Sequence, residues 1–222
     1  MTTRNVLFLD CDGVLLDWIR PFFRFCGIPE AEADTQQTYS LVSSGHFPDL
    51  PTFLEKLHAF EQTPAWSQLP PLGTMMSLTD LVNSGLELQV VTALDVDALT
   101  AAKRVRNLGY HYGAVFSGVH VVGSGIDKND FIRNWMDRQS PKDNINVVGL
   151  VDDKGTTLVE TARRWNYCVR QGLEAPTAYG IKQPYNRGDW GNEDIVWSAG
   201  LDALAFRLTI AIQQRQLDYL NG

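Results

Sequence analysis

The chain has 222 residues, 44% of them hydrophobic, with a formal net charge of -7; this suits one main folded domain with an insertion and excludes a disordered chain. The acidic balance provides no field to draw in polyanionic nucleic acid or an anionic membrane, so an anionic substrate would need a local counter-charge such as a metal ion. The three cysteines, Cys11, Cys26 and Cys168, show no C-x-x-C spacing and predict a reducing compartment, the cytoplasm, over a disulfide framework.

Taken in chain order, Met1 to Asn5 lead into the apolar run Val6–Leu9, which meets Asp10 too soon to serve as a signal-peptide core. No apolar stretch nears the roughly 20 residues that span a bilayer, so a soluble, unexported protein is expected. Val6–Leu9 is the first predicted strand. From Val14 to Gly73 aromatic-rich helical pieces are punctuated by Pro21, Pro29, Pro48, Pro51, Pro64, Pro70 and Pro71, predicting a small helical insertion over residues 14–73. Further strands are predicted at Leu86–Val91, Ala114–Phe116, Ile145–Val151 and Tyr167–Arg170, alternating with amphipathic helices.

The first of those helices is predicted to start at Asp95, bury Val96, Leu99, Ala102, Val105 and Leu108, and close at Gly109. Asp127 is predicted to cap the second, which carries Phe131, Ile132, Trp135 and Met136. Leu158, Val159 and Ala162 mark the third, with Arg163 and Arg164 in its last turn. Residues 171–192 read as loop, and a final helix presents Leu201, Leu204, Ala205, Leu208 and Ile212 on one face. The pattern predicts an α/β fold: a Rossmann-like parallel sheet covered by helices, with residues 1–13 and 74–222 as the core domain and 14–73 as a helical cap.

Four short motifs carry chemistry. Asp10-Cys11-Asp12-Gly13 follows a strand, and in open α/β sheets ligands bind beyond the carboxyl ends of strands. Two carboxylates there can hold a hard cation and leave an oxygen free to attack phosphorus, while Gly13 permits a tight turn that aims N–H groups at a phosphate. Thr92, followed by Ala93, ends the second predicted strand just before a helix, where a hydroxyl and backbone N–H groups can bind phosphate oxygens. Lys128 occupies the first turn of a helix, a position unfavourable for a cation unless an anion faces it. Asp152 and Asp153 end another apolar strand, and their mutual repulsion calls for a metal or a cation. Taken singly each motif also has an ordinary structural explanation: acids at a turn, a threonine cap, a surface lysine, a capped helix. Their common placement on one sheet edge is what gives them weight.

In that order and placement, Asp10-Cys11-Asp12, Thr92, Lys128 and Asp152-Asp153 resemble the four motifs of the haloacid dehalogenase superfamily. The resemblance covers Asn5 to about Arg170. It implies a nucleophile at Asp10, a general acid/base at Asp12, and phosphate binding by Cys11, Asp12, Thr92, Ala93 and Lys128. It also implies Mg²⁺ held by Asp10, the backbone carbonyl of Asp12, Asp152 and Asp153, with Asp153 favoured for direct contact. Asp12 favours phosphatases over dehalogenases, which lack an acid there, and the insertion matches the family's cap. Gln183-Pro184-Tyr185-Asn186-Arg187-Gly188 extends the resemblance to the 5'(3')-deoxyribonucleotidases. That implies a nucleoside monophosphate as substrate, with Trp18, Phe22, Phe23, Phe47 and Phe53 available either to stack on a base or to form the cap's own core.

The expectation is therefore a cytoplasmic, Mg²⁺-dependent phosphatase acting on a small phosphate ester as monomer or homodimer, with neither nucleic acid nor membrane as partner. Phosphoryl transfer to another alcohol, a sugar phosphate substrate, and a non-catalytic binding protein of the same fold are the alternatives. His46, His58, His111 and His120 form no zinc-like spacing, and Gly123-Ser124-Gly125 lacks the Lys-Ser/Thr that completes a P-loop.

Overall fold

The computed structural model describes residues 3–94, 98–140, 143–170 and 176–221. Its strands are β1 (Arg4–Leu9), β2 (Leu86–Leu94), β3 (Phe116–Gly123), β4 (Ile145–Asp152), β5 (Thr177–Ile181) and β6 (Ile195–Ser198). They form one sheet in the order β3-β2-β1-β4-β5-β6, every neighbouring pair parallel. The helices are α1 (Ile19–Cys26), α2 (Leu50–Glu61), α3 (Met75–Asn83), α4 (Ala98–Tyr112), α5 (Lys128–Asp137), α6 (Gly155–Arg170) and α7 (Leu201–Asn221). Short 3₁₀ turns lie at Glu30–Asp34, Pro64–Gln68 and Pro184–Asp189. No described helix is long and apolar enough to cross a membrane.

β1 is central because alternate residues bury into different layers. Leu7 and Leu9 join the core formed with the insertion, α3 and α7, while Val6 and Phe8 pack with Ile132 of α5 on the other face. This period of two makes a short apolar run with no polar face a strand buried on both sides. Phe8 meets Trp135 edge-on at 5.2 Å, a geometry that contributes about 1 kcal/mol beyond area burial. The sheet order reverses direction between β1 and β4, which opens the ligand crevice of such folds at their carboxyl ends.

Between β1 and β2 the chain forms α1, α2, α3 and two 3₁₀ turns. Pro51 sits in the first turn of α2, whose Asp49 cap accepts the Thr52 N–H at 2.8 Å, and Pro64 opens the second 3₁₀ turn. Pro21 lies inside the first turn of α1 and so interrupts nothing; proline is tolerated there because that N–H has no helical partner.

Several expectations are corrected. Tyr167–Arg170 is the end of α6, and the fifth strand begins only at Thr177. A helix started at Gly155 meets no Gly or Pro before Gly172, so propagation overrides the local β preference of four residues. It follows that Arg163 and Arg164 lie in mid-helix. β6 is a further strand that the sequence pattern did not indicate. β3 starts where the predicted run ends, at Phe116.

The buried face of α4 is also different from the predicted one. Leu99, Ala102 and Val105 are exposed, and Thr100, Arg104, Asn107, Leu108 and Tyr112 are buried. The helix runs past Gly109 to Tyr112 and closes at Gly113, which takes a positive φ of 59°. Asp95 and Val96 lie outside the described residues.

Candidate active site

The four motifs converge at the carboxyl ends of β1, β2 and β4. Asp10 directly follows β1, its N–H still donating to the Val151 carbonyl at 2.8 Å. Asp152 ends β4 and Asp153 follows it, and both are buried. α5 begins beside them because Asp127 caps it, accepting the Asn129 N–H at 2.7 Å. That cap delivers Lys128, whose Nζ lies 2.7 Å from Asp10 Oδ2 and 2.7 Å from Asp152 Oδ2. The anions that a lysine at a helix N-terminus requires are these two carboxylates.

Asp10, Asp152 and Asp153 offer oxygens that all lie within 4.8 Å of one another, and all three residues are buried. Asp152 uses both oxygens, Oδ2 toward Lys128 and Oδ1 accepting the Lys154 N–H at 2.8 Å. Asp153 Oδ2 accepts from the Tyr185 hydroxyl, while its Oδ1 is buried with no hydrogen-bond partner. An orphaned buried carboxylate oxygen beside two more carboxylates fits a hard divalent cation, which takes oxygen ligands. The residues present therefore suit the ion that the resemblance implies.

Electrostatics point the same way. Burial pushes Asp10 up from the usual 3.8 to about 7, against the pull of Lys128. Burial, with Asp152 and Asp10 adding to it, raises Asp153 well above the carboxylate range. Burial would lower Lys128, but Asp10 and Asp152 hold it above its ordinary value. A group that binds its proton more tightly folded than unfolded gives stability at low pH that is lost as pH rises through its folded value. In EDTA the melting temperature should accordingly fall by several degrees between about pH 5 and 8, and a divalent cation added at the upper end should recover it. A metal-free melting temperature that climbed over that interval would contradict the buried acidic group.

The loop after β1 is drawn tight. The Leu15 and Leu16 N–H groups donate to the Cys11 carbonyl at 2.8 and 2.9 Å, and Gly13 N–H donates to the Leu16 carbonyl at 2.9 Å. Gly13 has a positive φ of 80°, and a Cβ there would collide with the Asp153 carboxylate and lie 2.8 Å from the Tyr185 hydroxyl oxygen. Glycine is needed for close approach as well as for backbone angle. Its own N–H turns back into the loop, donating to Leu16. The Cys11 side chain lies in the core, and its N–H donates to Asp10 Oδ1 at 2.7 Å.

The late Pro-Tyr-Asn element buttresses this loop. Gln183 Nε2 donates to the Gly13 carbonyl at 2.8 Å, Asn186 Nδ2 to the Asp153 carbonyl at 2.7 Å, and Trp190 Nε1 to Asn186 Oδ1 at 2.6 Å. From the insertion, Tyr39 meets Tyr185 edge-on at 5.7 Å.

Asp10, Asp12, Thr92, Ala93, Lys128 and Asp152 line a cavity of about 780 Å³. The insertion contributes a mostly apolar part of the lining, including Trp18, Phe53, Leu57 and Trp66, with Ser40 and Glu61 among them. Of the aromatics named from sequence, Trp18 and Phe53 reach this cavity. Phe22, Phe23 and Phe47 are buried in the insertion's core, where Phe22 and Phe47 stack at 5.8 Å.

Asp12 lies apart from Lys128's pair and meets a residue that sequence reasoning missed. Arg104 Nη2 donates to Asp12 Oδ2 at 3.2 Å and lies 2.9 Å from Oδ1. Burial raises Asp12 above the usual carboxylate value while Arg104 and then Lys128 draw it down. The sequence marks this face by a polar stripe at helical spacing, Thr100, Arg104, Asn107 and His111, beside the apolar one.

No family model matches the sequence, and no curated protein matches it. Solved structures do match. A haloacid dehalogenase-like family hydrolase from Streptococcus pneumoniae aligns with TM-score 0.55 at 15% identity over 92% of this chain and 98% of that one. A haloacid dehalogenase-like hydrolase from Burkholderia xenovorans gives 0.53 at 15% identity over 92% and 96%. A haloacid dehalogenase-like family hydrolase from Xanthomonas campestris gives 0.51 at 11% over 95% and 98%. Such identities speak for architecture alone: the chain has the haloacid dehalogenase-like fold.

Proposed function

We propose that the protein is a phosphatase that hydrolyses a nucleoside monophosphate through a covalent aspartyl-phosphate, an acyl phosphate formed on Asp10. The observation that carries the proposal is Lys128, whose ammonium bridges Asp10 and Asp152 at the floor of a cavity large enough for a small organic phosphate. Mg²⁺ would be held by Asp10, the Asp12 carbonyl, Asp152 and Asp153, and when bound it would supply positive charge against the phosphate and the clustered carboxylates.

The chain's own residues then divide the work. An Asp10 oxygen attacks phosphorus, and the bond from phosphorus to the substrate's ester oxygen breaks. Asp12, which lines the cavity, gives its carboxyl proton to that departing oxygen, and its raised proton affinity suits it to the task. Lys128 and Thr92 hold the phosphoryl oxygens and offset charge as it builds. In the second half, Asp12 as carboxylate takes a proton from water, the water oxygen attacks phosphorus, and the bond to Asp10 breaks, releasing inorganic phosphate and restoring both acids. The mostly apolar lining with Trp18, Phe53 and Trp66 suits a leaving group with a flat face, such as a nucleobase.

The test is phosphate release from deoxynucleoside and ribonucleoside monophosphates, sugar phosphates and an aryl phosphate, each with Mg²⁺ and with EDTA. Mg²⁺-dependent turnover is expected, with kcat/KM for nucleotides at least about 10-fold above that for sugar phosphates. Equal rates would remove the nucleotide assignment and leave the phosphatase; no release from any ester would remove both.

A further inference from the structure

Arg104 is fully buried on α4. Burying a guanidinium is costly, and an apolar side chain of similar volume often serves stability as well or better. Its Nε and Nη1 have no hydrogen-bond partner, so a polar network does not explain its presence. What it contacts is Asp12, through Nη2, and Trp66, whose ring lies 4.0 Å from its guanidinium carbon. The neighbouring carboxylates are held by other means, Asp10 and Asp152 by Lys128 and Asp153 by Tyr185. Asp12 is held by Arg104.

The mount itself is firm. On the same helix Asn107 Nδ2 donates to the Leu69 carbonyl at 3.0 Å and Tyr112 Oη to the Leu15 carbonyl at 2.6 Å. α4 is thus tied both to the segment returning from the insertion and to the loop after Asp12. Arg104 Nη2 lies 2.9 Å from Oδ1 and 3.2 Å from Oδ2, so one buried guanidinium nitrogen faces both carboxyl oxygens and restrains the rotation of the group.

We propose that Arg104, backed by Trp66, is a positioning residue that fixes the Asp12 carboxyl for proton transfer to the leaving oxygen. The proposal rests on the phosphatase assignment above. The step it serves moves one proton from Asp12 to the ester oxygen as the phosphorus–oxygen bond breaks; Arg104 neither gives nor takes a proton.

The experiment compares wild type, Arg104→Met and Arg104→Lys at saturating Mg²⁺ on two esters, 4-nitrophenyl phosphate and a deoxynucleoside 5'-monophosphate. Nitrophenolate departs without help, whereas an alkoxide needs the proton. Because kcat/KM reports only steps up to leaving-group departure, Arg104→Met should lower it about 100-fold for the nucleotide and less than about 5-fold for the aryl ester. The aryl ester should also show a burst of one nitrophenolate per enzyme, since hydrolysis of the phosphoenzyme then lags.

A merely structural role would lower both esters alike and give no burst, and that result overturns the proposal, as does unchanged activity. If Arg104→Met does not fold, Arg104→Lys carries the test: the same selectivity at about 10-fold is expected, and its absence overturns the proposal. Wild type inactive on both esters would remove the phosphatase assignment and this proposal with it, whereas an active wild type with unselective variants removes this proposal only.

Discussion

Asp10→Asn is expected to lower turnover by about four orders of magnitude or more while leaving the fold intact. The amide oxygen is a poor nucleophile toward phosphorus, and no neighbouring acid can substitute: Asp152 has both oxygens occupied, and Asp153 is fixed by Tyr185. The change should be mild for stability because an Asn at this position still accepts the Cys11 N–H and removes one of three clustered buried acids. The decisive measurement is acid-quenched labelling with radioactive phosphate ester. Wild type should trap a protein-bound phosphate and Asp10→Asn should trap none; labelled variant protein, or turnover above about 1% of wild type, would refute covalent catalysis at this carboxylate.

Lys128→Met should act on stability and activity together. The side chain is only 10% exposed and faces two buried carboxylates, so its removal leaves uncompensated charge at a cost of about 3–5 kcal/mol. Turnover should fall about 1,000-fold, since the ammonium that would offset charge on the phosphoryl group is gone. The stability loss has a definite pH signature. Lys128 holds the Asp10 proton affinity down against burial, so in its absence Asp10 stays protonated to higher pH. The deficit relative to wild type should be large near pH 8 and shrink toward pH 5. Urea titrations in EDTA at both pH values measure it, and a deficit independent of pH would mean that the ammonium is not what balances these acids.

The acids and the lysine were legible because each depends on local rules. Val6–Leu9 and Val147–Val151 are apolar without alternation, the signature of strands buried on both faces, and the residue after such a strand lies at the crevice. Asp127 announces α5, and α5 places Lys128. Arg104 was illegible for the complementary reason. α4 carries an apolar stripe, and the sequence contains no statement that its polar stripe faces the insertion, because that depends on Trp66 and Leu69, some 40 residues away in the chain. β5 and β6, of five and four residues, are too short to show a period; β5 forms on the edge of β4, and β6 on the edge of β5. The division of the insertion's aromatics into wall and core, Trp18 and Phe53 against Phe22 and Phe47, likewise follows from packing and not from pattern.

The central position of β1 has a consequence for how the molecule comes to exist. Its partners lie far along the chain: Arg4 bonds Glu87 across 83 residues, and Asn5 bonds Asn146 across 141. At a synthesis rate of about 5–20 residues per second, β1 waits roughly 7–30 seconds on the ribosome before both its edges are covered. Throughout that interval an apolar strand stands with unpaired backbone groups, open to association with other chains. Sheets closed by such distant pairings also fold slowly once complete. The same arrangement that sets Asp10 between the two strands flanking β1 therefore leaves the newborn chain exposed to misassociation until β4 has been made.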